Sequence, residues 1–393
     1  MAENDRWLLP EGIEEVLPAQ AERLETLRRR LLDMYHSWGY ELVMPPQIEY
    51  LESLLTGTGN DLELQTFKLT DQLTGRMMGL RADMTPQVAR IDAHHLRREG
   101  PSRLCYMGTV LKTLPEGAGG SRSPLQVGVE LYGHSGVESD AEVLQLMIQT
   151  LQACGIDSPH LDLGHVGIYR GLVRQAGLSQ VQETVLFDAL QRKAKPEIEA
   201  LLADMPIDAA IRNLLCRLSD LNGGEEVLAE ADTLFAGASE DVKGALATLR
   251  RVTELLQQRT SSISVHYDLA ELRGYHYHTG VVFAAYVPGH GQAIAQGGRY
   301  DDIGMVFGRA RAATGFSTDL KTLVMLGDGE AAVPAAIFAP YDSDPALQVR
   351  IDGLRESGER VIHELPGQAG KPEESGCNRR LVKRAGNWEV EGL

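Results

Sequence analysis

The 393-residue chain is poor in cysteine, in positive charge and in long apolar runs, and each shortage removes a class of function. Its four cysteines, Cys105, Cys154, Cys216 and Cys377, lie far apart and form no CxxC pair. That spacing suggests neither a zinc knuckle nor a disulfide framework and reads as reduced thiols in a cytosolic protein. Lysine and arginine number 38 against 55 aspartates and glutamates, a formal charge of −17. The balance disfavours non-specific attachment to a phosphate backbone. No apolar run is long enough to cross a bilayer, and the acidic start MAENDRWLLPEG lacks the apolar centre of a signal peptide. What remains is ordinary: 43% hydrophobic and 24% charged residues, in a chain longer than one average domain. These features predict a cytoplasmic globular protein of two or three units, with no metal site and no cofactor motif.

Periodicity divides the chain. Ala21, Leu24, Leu27, Leu31 and Tyr35 recur at three- and four-residue steps, which predicts a helix over Pro18–Trp38 that stops at Gly39. Tyr40–Met44 reads as a strand closed by Pro45–Pro46, and so as an edge. Phe67–Leu80 reads as a hairpin turning at Asp71–Gly75, followed by a helix that Thr85 can cap and Pro86 can open. Leu104–Lys112 and Leu125–Gly133 read as strands. Ser139 and Glu142 form a capping-box pattern ahead of a helix over Val143–Cys154. From 180 to 258 strand patterns fade and Leu, Ala, Glu and Arg dominate, as in a helical insertion. Strand character returns at Ile263–Asp268, Val281–Val287 and Ala293–Gln296, and Phe316–Leu326 reads as a helix. The expected fold is α+β, an antiparallel sheet core made of residues 1–179 with 259–329, interrupted by the insertion 180–258 and followed by a small segment 330–393.

Three stretches carry candidate chemistry. On the strand Gln126–Tyr132, alternation puts Gln126, Gly128, Glu130 and Tyr132 on one face and Val127, Val129 and Leu131 on the other. The polar face either approaches a ligand across the glycine gap or simply meets solvent. RADMTPQ places Arg81, Asp83 and Thr85 at a hairpin-to-helix junction; Asp83 can receive an ammonium group, or Asp83 and Thr85 can merely cap the helix. In LRGYHYHTGVVF, Arg273 can hold a carboxylate, Gly274 permits an unusual backbone, and Tyr277 and His278 can line an aromatic-sized pocket. A polar strand fits that stretch equally well. A metal role for His276 and His278 lacks a carboxylate or cysteine at ligand spacing. GGRYD (Gly297–Asp301) and GFSTDLKTL (Gly315–Leu323) follow.

Taken in order, these motifs resemble the catalytic core of the histidyl-tRNA synthetases, a class II synthetase fold. GYELVMPPQIE (Gly39–Glu49) is similar to motif 1, the dimerisation element. RADMT stands where that family has RPEGT, Tyr106–Gly133 is similar to motif 2, LRGYHYHTGVVF to the histidine signature, and GFSTDLKTL to motif 3. The resemblance covers roughly residues 8 to 327. It implies that Asp83 and Thr85 meet the α-amino group of histidine, that Gln126 and Glu130 contact the bound amino acid, and that Arg273, Tyr277 and His278 complete the pocket. The nucleotide side departs from the pattern: the motif 2 arginine is Lys112, the following glutamate is Leu114, and the motif 3 arginine is Thr322.

Synthetase-like chains of this length, with a short tail lacking a basic stripe, resemble the regulatory subunits of ATP phosphoribosyltransferase. That family implies a non-catalytic chain that activates a short-form catalytic subunit in the first step of L-histidine biosynthesis and mediates inhibition by histidine. It implies a hetero-oligomer, expected to be a hetero-octamer, a homodimer through motif 1, and no tRNA or membrane partner. A functional synthetase with divergent motifs and a stand-alone histidine-binding protein are the alternatives. Loss of one phosphate-facing cation removes about 3 kcal/mol of transition-state stabilisation, or about 10²-fold in rate. Thr322→Arg alone is therefore expected to leave histidine-driven ATP–pyrophosphate exchange undetectable, because Lys112 and Leu114 remain; adenylate formed by that single variant would show the defect to be shallower.

Overall fold

The computed structural model describes residues 7–57, 60–115, 117, 120–260, 263–275, 277–327, 335–368 and 371–393. Its contacts divide the chain into two units, residues 1–329 and 330–393. The strands of the first unit are β1 (Glu41–Leu42), β2 (Ile48–Tyr50), β3 (Lys68–Thr70), β4 (Met77–Leu80), β5 (Ser102–Thr109), β6 (Leu125–Tyr132), β7 (His160–His165), β8 (Asn222–Gly223), β9 (Ser264–Asp268), β10 (Val281–Tyr286), β11 (Ala295–Arg299) and β12 (Ala313–Asp319). Nine of them form one sheet in the order β1-β5-β6-β12-β11-β10-β7-β9-β8; β2, β4 and β3 form a small second sheet. The central pairs from β5 to β7 are antiparallel, while β1–β5 and β7–β9 are parallel. The fold is thus the α+β class expected. β1 lies at an edge, as the prolines after it require.

The apolar face of β6 sets where the core sits. Val127, Val129 and Leu131 are fully buried and belong to one cluster with Leu144, Met147 and Leu151 of the helix Val137–Ala153. The helix Pro18–Ser37 buries Leu24, Leu31 and Tyr35, and the Tyr35 hydroxyl meets Thr150 Oγ1 at 3.0 Å. The insertion folds into helices Gln180–Gln191, Lys195–Ala203, Ala209–Leu218, Glu226–Leu234 and Glu240–Arg259. Its Leu186, Leu190, Leu215 and Leu249 join the same cluster as Val129, so the helices and the sheet share one core. Through β8 the insertion also adds an edge strand beside β9.

Local patterns misplace three boundaries. The helix expected from Phe316 begins at Leu320, because residues up to Asp319 pair with β6 on one side and β11 on the other, and Asp319 Oδ1 then caps the Lys321 N–H at 3.2 Å. Ser139 lies inside the helix that starts at Val137. Its hydroxyl donates to the Gly136 carbonyl at 2.7 Å, and Glu142 pairs with Arg103 instead of closing a capping box. Thr85 is the first residue of the helix Thr85–Arg90 and not its cap; Asp83 Oδ1 accepts the Thr85 N–H at 3.1 Å.

In the second unit, β13 (Ala336–Ala339) lies parallel to both β14 (Val361–His363) and β15 (Cys377–Arg384), and β16 (Asn387–Gly392) completes a hairpin. Ile337, Leu347, Ile351, Leu381 and Trp388 form its core around the helix Pro345–Glu356.

One buried ion pair pins the entry to β12. Arg311 Nη1 reaches both oxygens of Asp92 at 2.9 Å, and Asp92 is 1% exposed. Removing one partner strands a charge in the interior, which destabilises by about 3–5 kcal/mol. Arg311→Leu is expected to lower the urea midpoint accordingly, while Asp92→Leu/Arg311→Leu recovers most of the loss.

Candidate functional site

The site is built where β5, β6 and β12 lie side by side. The register sets Glu130 opposite Gly315 and Gly128 opposite Tyr106. A Cβ at residue 315 would occupy the space of the Glu130 carboxyl, and a Cβ at residue 128 would strike the Tyr106 phenol. The gap at Gly128, expected to admit a ligand, is therefore filled by Tyr106. Glu130 is 1% exposed. The Tyr106 hydroxyl donates to its Oε1 at 3.0 Å and the Tyr300 hydroxyl to its Oε2. The Thr85 hydroxyl lies 3.0 Å from the Tyr106 hydroxyl and extends the network. Burial pushes the Glu130 carboxyl up to about 8, against the opposing pull of the hydroxyl bonds from Tyr300, Thr85 and Tyr106.

Asp83 stands at the start of the helix Thr85–Arg90. Its Oδ1 accepts Gln126 Nε2 at 2.7 Å, and Gln126 Oε1 accepts the Met84 N–H at 3.0 Å. The amide of Gln126 thereby fixes the Asp83 carboxylate in place. Arg81 does not join them: its guanidinium donates to the carbonyls of Pro45 and Thr109 and clamps the hairpin to β5.

Among the described residues, the stretch from Leu272 holds no strand until Val281. Gly274 takes φ +61, which favours glycine, and its carbonyl accepts the N–H groups of Tyr277 and His278 at 2.8 Å each. His278 Nδ1 lies 3.2 Å from the Arg273 carbonyl, and burial pushes the imidazole down to about 4, so it is neutral. The Tyr277 ring stacks on Tyr300 at 4.9 Å. Arg273 Nη2 donates to the Tyr286 hydroxyl at 2.6 Å and sits 3.6 Å from Glu271. His276 lies outside the described residues; among the described residues no group of three potential metal ligands occurs.

Six of the seven expected residues, Asp83, Thr85, Glu130, Arg273, Tyr277 and His278, line one cavity of ≈ 210 Å³. Gln126 lines a neighbouring cleft of ≈ 860 Å³, with Asp83, Gln296 and Ser317 common to both. Sequence reasoning missed Glu271, Gln296 and the role of Tyr300, although Tyr300 lies in the GGRYD motif. The cavity carries the carboxylates of Asp83 and Glu271 and the carboxyl of Glu130 against one guanidinium that is already engaged, plus two stacked phenols. That lining suits an ammonium group beside a flat ring.

The larger cleft has a different character. Lys112, Lys321 and Thr322 line it, and no arginine does so among the described residues. Thr322 Oγ1 donates to Asp319 Oδ2 at 2.8 Å, and Lys321 lies 3.4 Å from Glu14. Arg122, the nearby motif 2 cation, donates to the backbone carbonyls of Lys112 and Glu11 at 3.1 Å each.

Residues 12–323 match the family described as histidyl-tRNA synthetase, and residues 334–391 match the one described as ATP phosphoribosyltransferase subunit HisZ C-terminal domain. The ATP phosphoribosyltransferase regulatory subunit of Thioalkalivibrio sulfidiphilus is 62% identical over 395 residues, covering 100% of each chain. The chain belongs to the ATP phosphoribosyltransferase regulatory subunit family. The regulatory subunit of Alkalilimnicola ehrlichii is 58% identical over 395 residues, across 100% of this chain and 98% of that one. Among solved structures, an ATP phosphoribosyltransferase regulatory subunit/histidyl-tRNA synthetase from Bacillus halodurans superposes with a TM-score of 0.83 at 28% identity, covering 94% of this chain and 96% of that one. A histidyl-tRNA synthetase from Nostoc sp. PCC 7120, at 18% identity and TM-score 0.78 over 98% and 97% of the chains, shares the fold.

The buried carboxyl gives stability a pH dependence. Glu130 binds its proton more tightly in the fold than in the unfolded chain, so its contribution is complete below the ordinary carboxyl range and is lost as pH rises through about 8. Glu130→Gln is expected to flatten the fall of unfolding free energy over that interval; parallel curves for both proteins would refute the assignment.

Proposed function

We propose that this chain is a non-catalytic regulatory subunit that assembles with the short-form ATP phosphoribosyltransferase catalytic subunit, activates it in the first step of L-histidine biosynthesis, and takes part in feedback inhibition by histidine. What supports the reading most is one contrast on a chain collinear with the regulatory subunits end to end: an ammonium- and ring-accepting cavity is intact beside a cleft without arginine. Asp83 and Thr85 receive the α-ammonium group. Glu130, Tyr277 and Tyr300 hold the imidazole, with His278 beside it, and Gln126 orients Asp83. The carboxylate lies towards Arg273. Adenylation requires fixed cations where charge develops on phosphate, and Lys112 with Thr322 supply neither the fork nor the number.

Control is then a matter of differential binding. Contacts with the catalytic subunit favour an active arrangement, and histidine reverses this only if it binds the inhibited assembly more tightly. A homodimer through the motif 1 region fits the open edge of β1, where Leu42 and Met44 are exposed, and a hetero-octamer is the expected assembly. No described helix is long and apolar enough to cross a membrane, and we place the complex in the cytoplasm.

Mixing the purified chain with a short-form catalytic subunit is expected to give a heavier assembly and faster turnover; unchanged mass and turnover would overturn the proposal. Glu130→Ala is expected to weaken histidine binding about 10-fold by calorimetry, through loss of a buried polar partner. Unchanged affinity would place histidine elsewhere.

A further inference from the structure

The floor of the amino-acid cavity is an irregular stretch between β9 and β10. Among the described residues between Leu269 and Gly280 none joins a ladder, yet Glu271, Arg273, Gly274, Tyr277 and His278 all line the cavity. It lies close over β7 because Gly164 leaves room: a Cβ there would fall 2.7 Å from Glu271 Cβ. The sheet holds it at Thr279, whose N–H donates to the Arg299 carbonyl at 2.7 Å, and at Arg273 through the Tyr286 hydroxyl; the helical insertion holds its other side. The Leu269 N–H donates to the Leu221 carbonyl at 3.0 Å, and Lys193 Nζ pairs with Asp268 at 2.7 Å. Tyr275 is 4% exposed and absent from the cavity lining; its hydroxyl donates to Glu183 at 2.5 Å on the helix Gln180–Gln191. Phe187 of that helix lies 5.2 Å from its ring. Arg170 covers the same ring at 4.8 Å and donates to the Tyr275 carbonyl at 2.6 Å.

We propose that Tyr275 and Glu183 are positioning residues that couple the cavity floor to the helix Gln180–Gln191, so that occupancy of the cavity is carried to the helical insertion. A ligand that draws Arg273 or Tyr277 inwards pulls on a floor whose other side is fastened to this helix. The hydroxyl–carboxylate bond is charge-assisted and partly buried, and so it transmits displacement where a loose apolar contact slips. The inference rests on histidine occupying the cavity, as proposed above, and adds how that occupancy is read.

The test uses the complete complex with its catalytic subunit. Hydrogen exchange with and without saturating histidine is expected to show new protection over residues 180–195 in the natural chain and none in Tyr275→Phe, which keeps the ring and loses the hydroxyl. Tyr275→Phe is expected to assemble and activate normally while its histidine inhibition constant rises ~10-fold, within the ordinary range of a coupling energy. Glu183→Leu and Lys193→Met are expected to follow it, and Glu183→Gln, which keeps an acceptor, to retain inhibition. A merely structural role would lower activation and inhibition together. Bound histidine with no change over 180–195, or inhibition unchanged in Tyr275→Phe, overturns the coupling alone. Absence of histidine binding by calorimetry in the natural complex overturns both the coupling and the occupancy on which it rests.

Discussion

The site depends on one steric concession. A carboxyl group can lie inside the nine-stranded sheet only because the residue across the ladder, Gly315, has no side chain. Burial disfavours the charged form there, and the hydroxyls of Tyr106 and Tyr300 offset part of that penalty. The concession fixes the neighbours in turn. Tyr106 reaches Glu130 only because Gly128 leaves its phenol room, and Thr85 reaches Tyr106 only because Asp83 starts the helix where it does. A chain of small absences, two of them glycines, thus places a titratable group at the base of a cavity of amino-acid size.

The two adjoining cavities share Asp83, Gln296 and Ser317 but differ in chemistry. The smaller is negative and aromatic. The larger is rich in amides and hydroxyls, and the guanidinium of Arg122 is spent on backbone carbonyls. Activating an amino acid requires both halves, because the reacting carboxylate and phosphate meet at their junction. On the proposed reading, a chain that keeps the first half and has lysine and threonine in place of the arginines of the second recognises an amino acid without activating it. Recognition without turnover is what feedback control requires, since a sensor must release its ligand unchanged.

Elements defined by local pattern were legible: the helix from Pro18, the hairpin ending at Leu80, the alternation along β6 and the change of texture at 180. The motif residues Asp83, Thr85, Glu130, Arg273, Tyr277 and His278 were legible only as a collinear set, since each alone also fits a helix cap or a polar strand. What was not legible depends on register between distant segments. Nothing near Gly315 shows that it faces Glu130, and nothing near Gly128 shows that Tyr106 fills its gap. Phe316 has the local look of a helix start, yet ladders on both sides hold it in a strand. Glu271 and Gln296 escaped notice because the cavity takes them from a turn and from a different strand.

The charge balance of the cavity also follows from burial rather than from composition. His278 counts as a cation in a residue list, but its Nδ1 faces the Arg273 carbonyl and its ring is neutral. A carbonyl can only accept, so Nδ1 carries the hydrogen and Nε2 is left as an acceptor. Arg273 is the remaining positive group in the lining, and Glu271 and the Tyr286 hydroxyl already claim it. Against it stands the carboxylate of Asp83, while Glu130, protonated until about pH 8, offers a neutral carboxyl. The ammonium end of an amino acid is therefore attracted more strongly than its carboxylate, which must compete for a guanidinium with existing partners. On the proposed reading, selectivity in such a cavity comes from the amine and the ring, and the carboxylate end, directed at Arg273, adds less.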